Sequence, residues 1–548
     1  MIRLVSACLV VLGLSRCVFA DKPNSGETSQ TDQAILIRFL GSADSDRLLN
    51  FLRSQKVDDS MRKQIAALIE QLGSPAFRQR QEAQGKLLAM GPVVVPFLRD
   101  ALSHTDQEIA GRARRCLQEL QRGPRAGLPA ATIRALAQRR DARLVPILLE
   151  IGPSSPDDPW HSLIVDTLTE LARHHAESRQ LIRQALASSS QRALAVFALI
   201  KALPAAELQD LDRFLDDADP TVRFPVAMLR IQHHDRRAIP ALISVIRESP
   251  STILWQQAEE ALYAAAGEHA PAVVVKSGTT DGRRAIADQW ENWWKTKGNE
   301  LVLGKAEDYP TDICVVAETG LRNRVYEWRA EGKSRFHIKD LISPVDARVL
   351  PGNRVLIAEQ SGRRVSERSF GGQVLWQKIL DDEPVSVMRL ANGNTFVATL
   401  SRILEIRRDG DIARSLSLPD ASLSISDANQ LSDGRIAVIT MEDELLYLSS
   451  TGEEIARAKL DSPGAIEALP NGHVLVSQNA RGRIAEFDAQ YKAVANFQIE
   501  GAWMATRLPD QNYLVACKML GKMLKVDREG KVLAEYKIDG QPHAIHWR

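Results

Sequence analysis

The chain has 548 residues, too many for one hydrophobic core, so two or more domains are expected. Lys and Arg total 70 against 69 Asp and Glu, and the formal charge of +1 gives no electrostatic footprint for a polyanion such as nucleic acid. A hydrophobic content of 44% is that of an ordinary globular protein.

The first twenty residues read as an address label. Arg3 is a short positive region, Leu4 to Leu14 an apolar run, and Val18-Phe19-Ala20 a small-x-small cleavage site. A signal peptide is expected over 1–20, with export to the periplasm or beyond the cell. The apolar run is too short for a membrane span, so no span is expected after cleavage. Leu14-Ser15-Arg16-Cys17 approaches a lipoprotein signal, but Arg16 stands where processing needs a small residue, which disfavours lipid anchoring at Cys17. Residues 21–30 read as a disordered spacer.

Residues 31–300 carry amphipathic helical patterns broken by Gly, Pro and Asp-Pro. The stretch from Arg62 to Leu72 has apolar positions at helical spacing and stops at Gly73, and Ser74-Pro75 restarts the chain as N-cap and first-turn proline. The helices recur in pairs. One member holds a proline in an apolar run, as in Val95-Pro96-Phe97-Leu98, Val145-Pro146-Ile147-Leu148 and Ile239-Pro240-Ala241-Leu242. The other follows an aspartate, as in Asp106-Gln107-Glu108 or Asp219-Pro220-Thr221. This punctuation resembles HEAT repeats, particularly the short type also found in phycobilisome-lyase-like proteins. The resemblance implies a curved solenoid; it implies no lyase activity, because no residue matches a catalytic signature. Trp290, Trp293 and Trp294 share one helical face, either as a cap on the last apolar surface or as a sugar-stacking platform.

Residues 301–548 carry a repeat. Leu390-Ala391-Asn392-Gly393-Asn394, Leu431-Ser432-Asp433-Gly434-Arg435 and Leu469-Pro470-Asn471-Gly472-His473 are copies of one turn, with a shortened form at Leu350-Pro351-Gly352-Asn353 and a variant at Leu508-Pro509-Asp510-Gln511-Asn512. The leading leucines stand 40, 41, 38 and 39 residues apart, the period of a small antiparallel sheet repeated radially. Five units begin near Asp346, Ser386, Asp427, Ala465 and Met504. A sixth, ahead of them, lacks its first strand, and Pro542 to Trp547 matches a first strand alone. The expected architecture is therefore a HEAT-like α-solenoid followed by a six-bladed β-propeller closed by the C-terminal strand. These repeats resemble NHL-type and quinoprotein-type (PQQ-like) propellers. The quinoprotein docking pattern, Gly-x-x-x-Trp in each repeat, is approached only at Gly372–Trp376, so PQQ is doubtful and no cofactor is expected.

Cys116, Cys314 and Cys517 remain after cleavage, without disulfide or metal spacing. Buried thiols are expected, with a Cys314–Cys517 pair between adjacent blades as the alternative. The chain carries no Gly-x-Ser-x-Gly, His-Glu-x-x-His, Cys-x-x-Cys or phosphate-binding glycine loop. Adjacent His174-His175 and His233-His234 point about 100° apart on a helix and make poor joint ligands. The basic group Arg112, Arg114, Arg115, Arg122 and Arg125 reads as a solvated face.

Polar groups gather at the propeller mouth. Asp346, Ser386, Asp427, Ala465, Met504 and His543 open the innermost strands, and Glu318, Glu359, Thr399, Thr440, Gln478 and Cys517 end the second strands on the same face. Arg322, Arg324, Arg363, Arg364, Arg402, Arg481 and Arg483 follow in the loops. Asp346, Asp427, His543, Glu318 and Glu359 are the candidate ligand-binding residues. The leading expectation is an exported, non-catalytic scaffold that binds protein partners, or a glycan or peptide ligand, through solenoid and propeller. The alternative is an enzyme (lyase, hydrolase or quinoprotein-like oxidoreductase) with Asp346, Asp427 and His543 as acid–base groups in the throat.

Overall fold

The computed structural model describes residues 25–547 apart from 58, 102–103, 123–126, 154–155, 276–279, 304–312, 321, 332 and 539. The signal segment, Cys17 and Arg125 lie outside the described residues. Helices run from Ser25 to Lys297, and strands follow from Ile313 onward. No described helix is long and apolar enough to cross a membrane.

Packing divides the chain into two compact units, 22–229 and Arg230–Arg548. In the first, helix Ser25–Leu40 packs on Leu128–Gln138, where Arg134 donates two hydrogen bonds to Asp32, at 2.7 and 2.6 Å. That helix takes in residues 25–30, which composition alone marks as spacer. Extending a helix already anchored at Asp32 adds one backbone bond per residue and needs no new nucleus. The prolines inside apolar runs sit in first turns, where no intrahelical bond is lost: Pro96 in Val95–Asp100 and Pro146 in Leu144–Ile151. Arg112 is buried and bonded to Glu108 and Gln84, so this member of the basic group ties helices together.

In the second unit the described strands form six four-stranded antiparallel sheets. Blade 1 has the order Pro542–Trp547, Ile313–Glu318, Arg324–Arg329, His337–Ile338. Blades 2 to 6 start from the inner strands Pro344–Leu350, Pro384–Arg389, Ile425–Gln430, Pro463–Ala468 and Met504–Arg507. Each inner strand contacts the next around the ring, and Pro542–Trp547 touches both Met504–Arg507 and Pro344–Leu350. The expected closure is what the structure shows: Cys314 pairs with Trp547 and Val316 with Ile545. Gly393, Gly434 and Gly472 have φ of +84°, +90° and +81°, the left-handed backbone that the repeated turns demand. Cys314 and Cys517 are free buried thiols, as is Cys116.

The change from helix to strand near residue 300 is not where the compact units part. Helices Ala238–Glu248, Thr252–Ala266 and Thr280–Lys297 belong with the propeller. Thr252–Ala266 lies against the turns at the ends of inner strands 2 and 3. A Cβ at Gly352 would collide with Tyr263 Cδ1, and one at Gly393 would stand 2.9 Å from Gln256 Cβ. Glu259 and Glu260 on this helix meet Arg354, Arg389, Arg408 and Glu367 in a buried ionic cluster. Trp290 is fully buried, edge-on to Tyr263 and Trp293, and Trp293 Nε1 donates to His269 O at 2.6 Å. Trp290 and Trp293 thus close an interior.

Candidate functional site in the propeller throat

The inner strands of blades 1 to 5 each carry a bulge near the start. In blade 2, Pro344 pairs with Glu359 and Asp346 with Ala358, which leaves Val345 as the extra residue. The corresponding register in blade 1 pairs Pro542 with Glu318 and Ala544 with Ala317. Ala544 therefore occupies the level of Asp346, and His543 is the bulged residue. Shifting a strand by one residue turns its side chains to the other face, so a register counted without the bulge misplaces His543. Val345, Val385, Ser426, Gly464 and His543 are the bulge residues, and Trp503, just ahead of the inner strand of blade 6, joins them in lining the entrance.

Below them, Asp346, Ser386, Asp427 and Met504 share a structural task. Each accepts a backbone N–H from the next inner strand: Val387 to Asp346 Oδ2 at 2.9 Å, Ala428 to Ser386 Oγ at 3.3 Å, Ile466 to Asp427 Oδ2 at 2.9 Å, and Ile545 to Met504 Sδ at 3.4 Å. These residues knit neighbouring blades as well as line the channel.

Two residues further along, the same face of each strand presents Arg348, Met388, Asn429, Glu467, Thr506 and His546. The expected site took in only the first residue of each strand and missed this second layer; the period-two alternation was the signal that pointed to it. His546 Nε2 donates to Asp346 Oδ1 at 2.7 Å, and its Nδ1 is buried with no hydrogen-bond partner among the described residues. Arg348 donates to Asn429 Oδ1 at 3.1 Å and lies 4.0 Å from Asp346 Oδ1. Thr506 Oγ1 donates to Glu467 Oε1 at 3.0 Å, while Glu467 Oε2 is buried without a partner among the described residues.

Electrostatics separate these groups. Burial opposes charge on Asp346, but the neighbouring His546 and Arg348 overcome it and hold the carboxyl at about 2. Burial and Arg348 keep His546 down at about 4, so Asp346 is ionised and His546 neutral at pH 7. Burial, reinforced by Asp346, pushes Asp427 up to about 7; burial, partly offset by Arg348, raises Glu467 to about 7 as well. Perturbed acidities of this kind cluster at functional sites, and structural ion pairs produce them as well.

Part of this set lines a cavity of about 30 Å³, room for one or two water-sized groups. Asp346, Arg348, Asp427, His543 and His546 line it. His543 Nδ1 lies 2.9 Å from Lys518 Nζ, and that ammonium sits 4.1 Å from the centroid of the Trp503 ring. Glu318 and Glu359 do not converge on the cavity. Glu359 takes Arg364 at 2.9 and 2.7 Å and Arg368 at 3.2 Å, and Glu318 pairs with Arg324 and Tyr326. Arginines of the rim are likewise paired, Arg402 on Asp381 and Arg481 on Asp461. Trp376 is buried in the core between blades.

No protein-family model matches the chain, and no curated protein does. Among solved structures, the chain is similar to a protein of unknown function from Bacteroides caccae, at 16% identity and a TM-score of 0.38, over 43% of this chain and 97% of that one. It is similar to virginiamycin B lyase from Staphylococcus aureus, at 16% identity and a TM-score of 0.31, over 37% of this chain and 71% of that one. It is also similar to the β-propeller domain of Cps50 (Swd1) from Myceliophteria thermophila, at 13% identity and a TM-score of 0.36, over 43% and 87%. The propeller assignment rests on the sheet order and ring closure themselves.

The raised acidity constant of Asp427 has a testable consequence. A carboxyl that holds its proton more tightly folded than unfolded favours the folded state below pH 4, and that advantage is lost as pH rises through about 7. Asp427→Asn keeps an acceptor for Ile466 N–H and has no charge to bury. It is expected to change stability little at pH 4 and to stabilise the unit by on the order of 4 kcal/mol at pH 8, the rise of roughly three units taken at about 1.4 kcal/mol per unit. Calorimetric melting at the two pH values checks this; equal effects at both would refute it.

Proposed function

We propose that the chain is an exported, non-catalytic binding scaffold whose propeller offers its mouth face to a protein partner, and whose N-terminal helical region is built as HEAT-like pairs. The observation that carries this reading is the asymmetry of the disc. Helix Thr252–Ala266 occupies turns on the face opposite the mouth. The mouth face carries exposed Ile342, Met441, Met519 and Leu520 beside half-buried Trp503, around a throat too small to enclose a substrate. An exposed methionine and leucine beside an aromatic ring supply the apolar anchors that protein interfaces use. The reading assigns no quinone cofactor, since the single Gly-x-x-x-Trp ends in Trp376, a buried residue.

A second reading, catalysis in the throat, is favoured by the Asp346–His546 pair. Its fixed tautomer leaves a lone pair on Nδ1, the arrangement of an oriented general base. The 30 Å³ cavity admits only a small reacting group, which ranks this reading second.

Native mass spectrometry of the full chain from its own host, followed by surface variants, separates the two. Met519→Glu is expected to weaken partner capture about tenfold or more. Val494→Glu, on the outer strand of blade 5, is expected to leave it unchanged. Equal effects of the two variants would refute a mouth-face interface.

A further inference from the structure

The turn between the second and third strands has the same form in blades 5 and 6, a short 3₁₀ segment closed by a left-handed glycine: Asn479–Arg481 with Gly482, and Lys518–Leu520 with Gly521. In both, the first residue of the turn lies against a residue that lines the entrance. In blade 5 a Cβ at Gly464 would collide with the Asn479 side chain. In blade 6 the Lys518 ammonium sits 4.1 Å from the ring centroid of Trp503, the counterpart of Gly464 in register. The charges differ. Blade 5 pairs Arg481 with Asp461, whereas blade 6 has Leu520 in place of that arginine and carries its cation on Lys518. Lys518 Nζ donates to His543 Nδ1 at 2.9 Å, and Trp503 Nε1 donates to His543 O at 2.9 Å, so the three side chains hold one another in place. Neither a neutral imidazole nor an indole supplies the opposite charge. No carboxylate among the described residues pairs with this half-buried ammonium, Glu500 in the place of Asp461 included, and His543 Nδ1 is its only hydrogen-bond acceptor among them. Burial pulls Lys518 below the usual lysine range, and no carboxylate raises it.

We propose that Lys518 is the receptor for a carboxylate side chain of the mouth-face partner, an aspartate or glutamate set among apolar residues. The proposal rests on the mouth-face reading and specifies what the partner presents there. Charge complementarity selects the class: a cation held in place without a counter-ion is completed by one negative charge. A carboxylate fits better than a phosphate, because one ammonium offers a single charge, whereas phosphate sites gather several donors. The apolar setting comes from the same turn, where Met519 is 76% exposed and Leu520 is exposed beside it. The carboxylate stops at the entrance. Deeper in, Asp346 is ionised and the cavity of about 30 Å³ has no room for the group.

The test is NMR titration of the full chain, labelled at its methionine methyl groups, with acetyl-Leu-Glu-Leu-amide and with its neutral counterpart acetyl-Leu-Gln-Leu-amide. The Met519 methyl is the reporter, and the ionic strength is kept at about 0.01 M. The glutamate peptide is expected to bind about fivefold or more tighter than the glutamine peptide. Lys518→Gln is expected to abolish that preference and Lys518→Arg to keep it, with the unliganded melting temperature of each variant as the control. Equal binding of the two peptides by the unaltered chain would overturn the proposal, as would a preference that survives Lys518→Gln. Should Lys518→Gln melt early, the unaltered chain at about 0.3 M salt decides, since a preference that does not shrink is not ionic. A glutamate preference found while Met519→Glu leaves partner capture intact removes the mouth-face interface and keeps the carboxylate site. Loss of capture in Met519→Glu, with no preference between the peptides, removes the carboxylate site and keeps the interface.

Discussion

Glu367→Ala is expected to destabilise the unit Arg230–Arg548 by about 3–5 kcal/mol. Glu367 is completely buried and accepts from Arg354 Nη1 at 2.8 Å, from both Nη1 and Nη2 of Arg408, the latter at 3.0 Å, and from Arg389 Nη2. Arg354 also reaches Glu260 Oε2 at 2.7 Å with its guanidinium 3.4 Å from the Tyr263 ring centroid, and Arg408 reaches Glu259 Oε2 at 3.2 Å. Three guanidiniums are thus balanced by three carboxylates, and removing the shared one leaves a buried charge uncompensated. The three arginines hold the Glu367 carboxyl far below the usual glutamate range although burial opposes its ionisation. Its contribution is therefore complete above the unfolded value of 4.5 and is lost as pH falls beneath it. Urea melts at pH 7 measure the loss directly; a change under about 1 kcal/mol would show that the cluster is relaxed by water.

Deleting the strand Pro542–Trp547 is expected to cost more than about 5 kcal/mol and to abolish the propeller's cooperative transition. The strand brings a backbone ladder with Ile313–Glu318, fully buried Ile545 and the His546–Asp346 bond. At about 1 kcal/mol per ladder bond and about 2–5 kcal/mol for a buried isoleucine, the loss approaches the whole stability of a domain. Circular dichroism and light scattering read the outcome. A monomer with an unchanged melting temperature would mean that the ring does not depend on its closing strand. Ile545→Ala, retaining the ladder, is the graded version, expected to cost about 2–5 kcal/mol.

How far the sequence is legible depends on whether a feature is local. The turns at Gly393, Gly434 and Gly472 are encoded within five residues, and strand order and closure follow from their spacing. The bulges are harder to see because they break alternation, although Pro344, Pro384, Pro463 and Pro542 sit just ahead of four of them. Without the bulge, His543 falls where Ala544 stands and His546 stays hidden. Asp346 and Asp427 are visible because they open their strands; Arg348 and Glu467 are not, because they lie one alternation deeper. The ionic cluster is beyond reach. Arg354 and Glu260 are separated by 94 residues and Arg408 and Glu259 by 149, and nothing local distinguishes them from the other charged residues of an electrically balanced chain. Glu259 and Glu260 look like the solvated side of an amphipathic helix, and only the fold shows that this side is buried.

Ring closure also sets an order of events during synthesis. His546 meets Asp346 across 200 residues of chain. A ribosome adding roughly 5–20 residues per second needs about 10–40 s to cross that interval. Until it does, the strand Ile313–Glu318 has its inner neighbour missing and offers free backbone groups to any extended chain nearby. The nascent propeller is therefore an unfinished template for most of its own translation, and the final strand decides whether its ladder is completed from within or by another molecule.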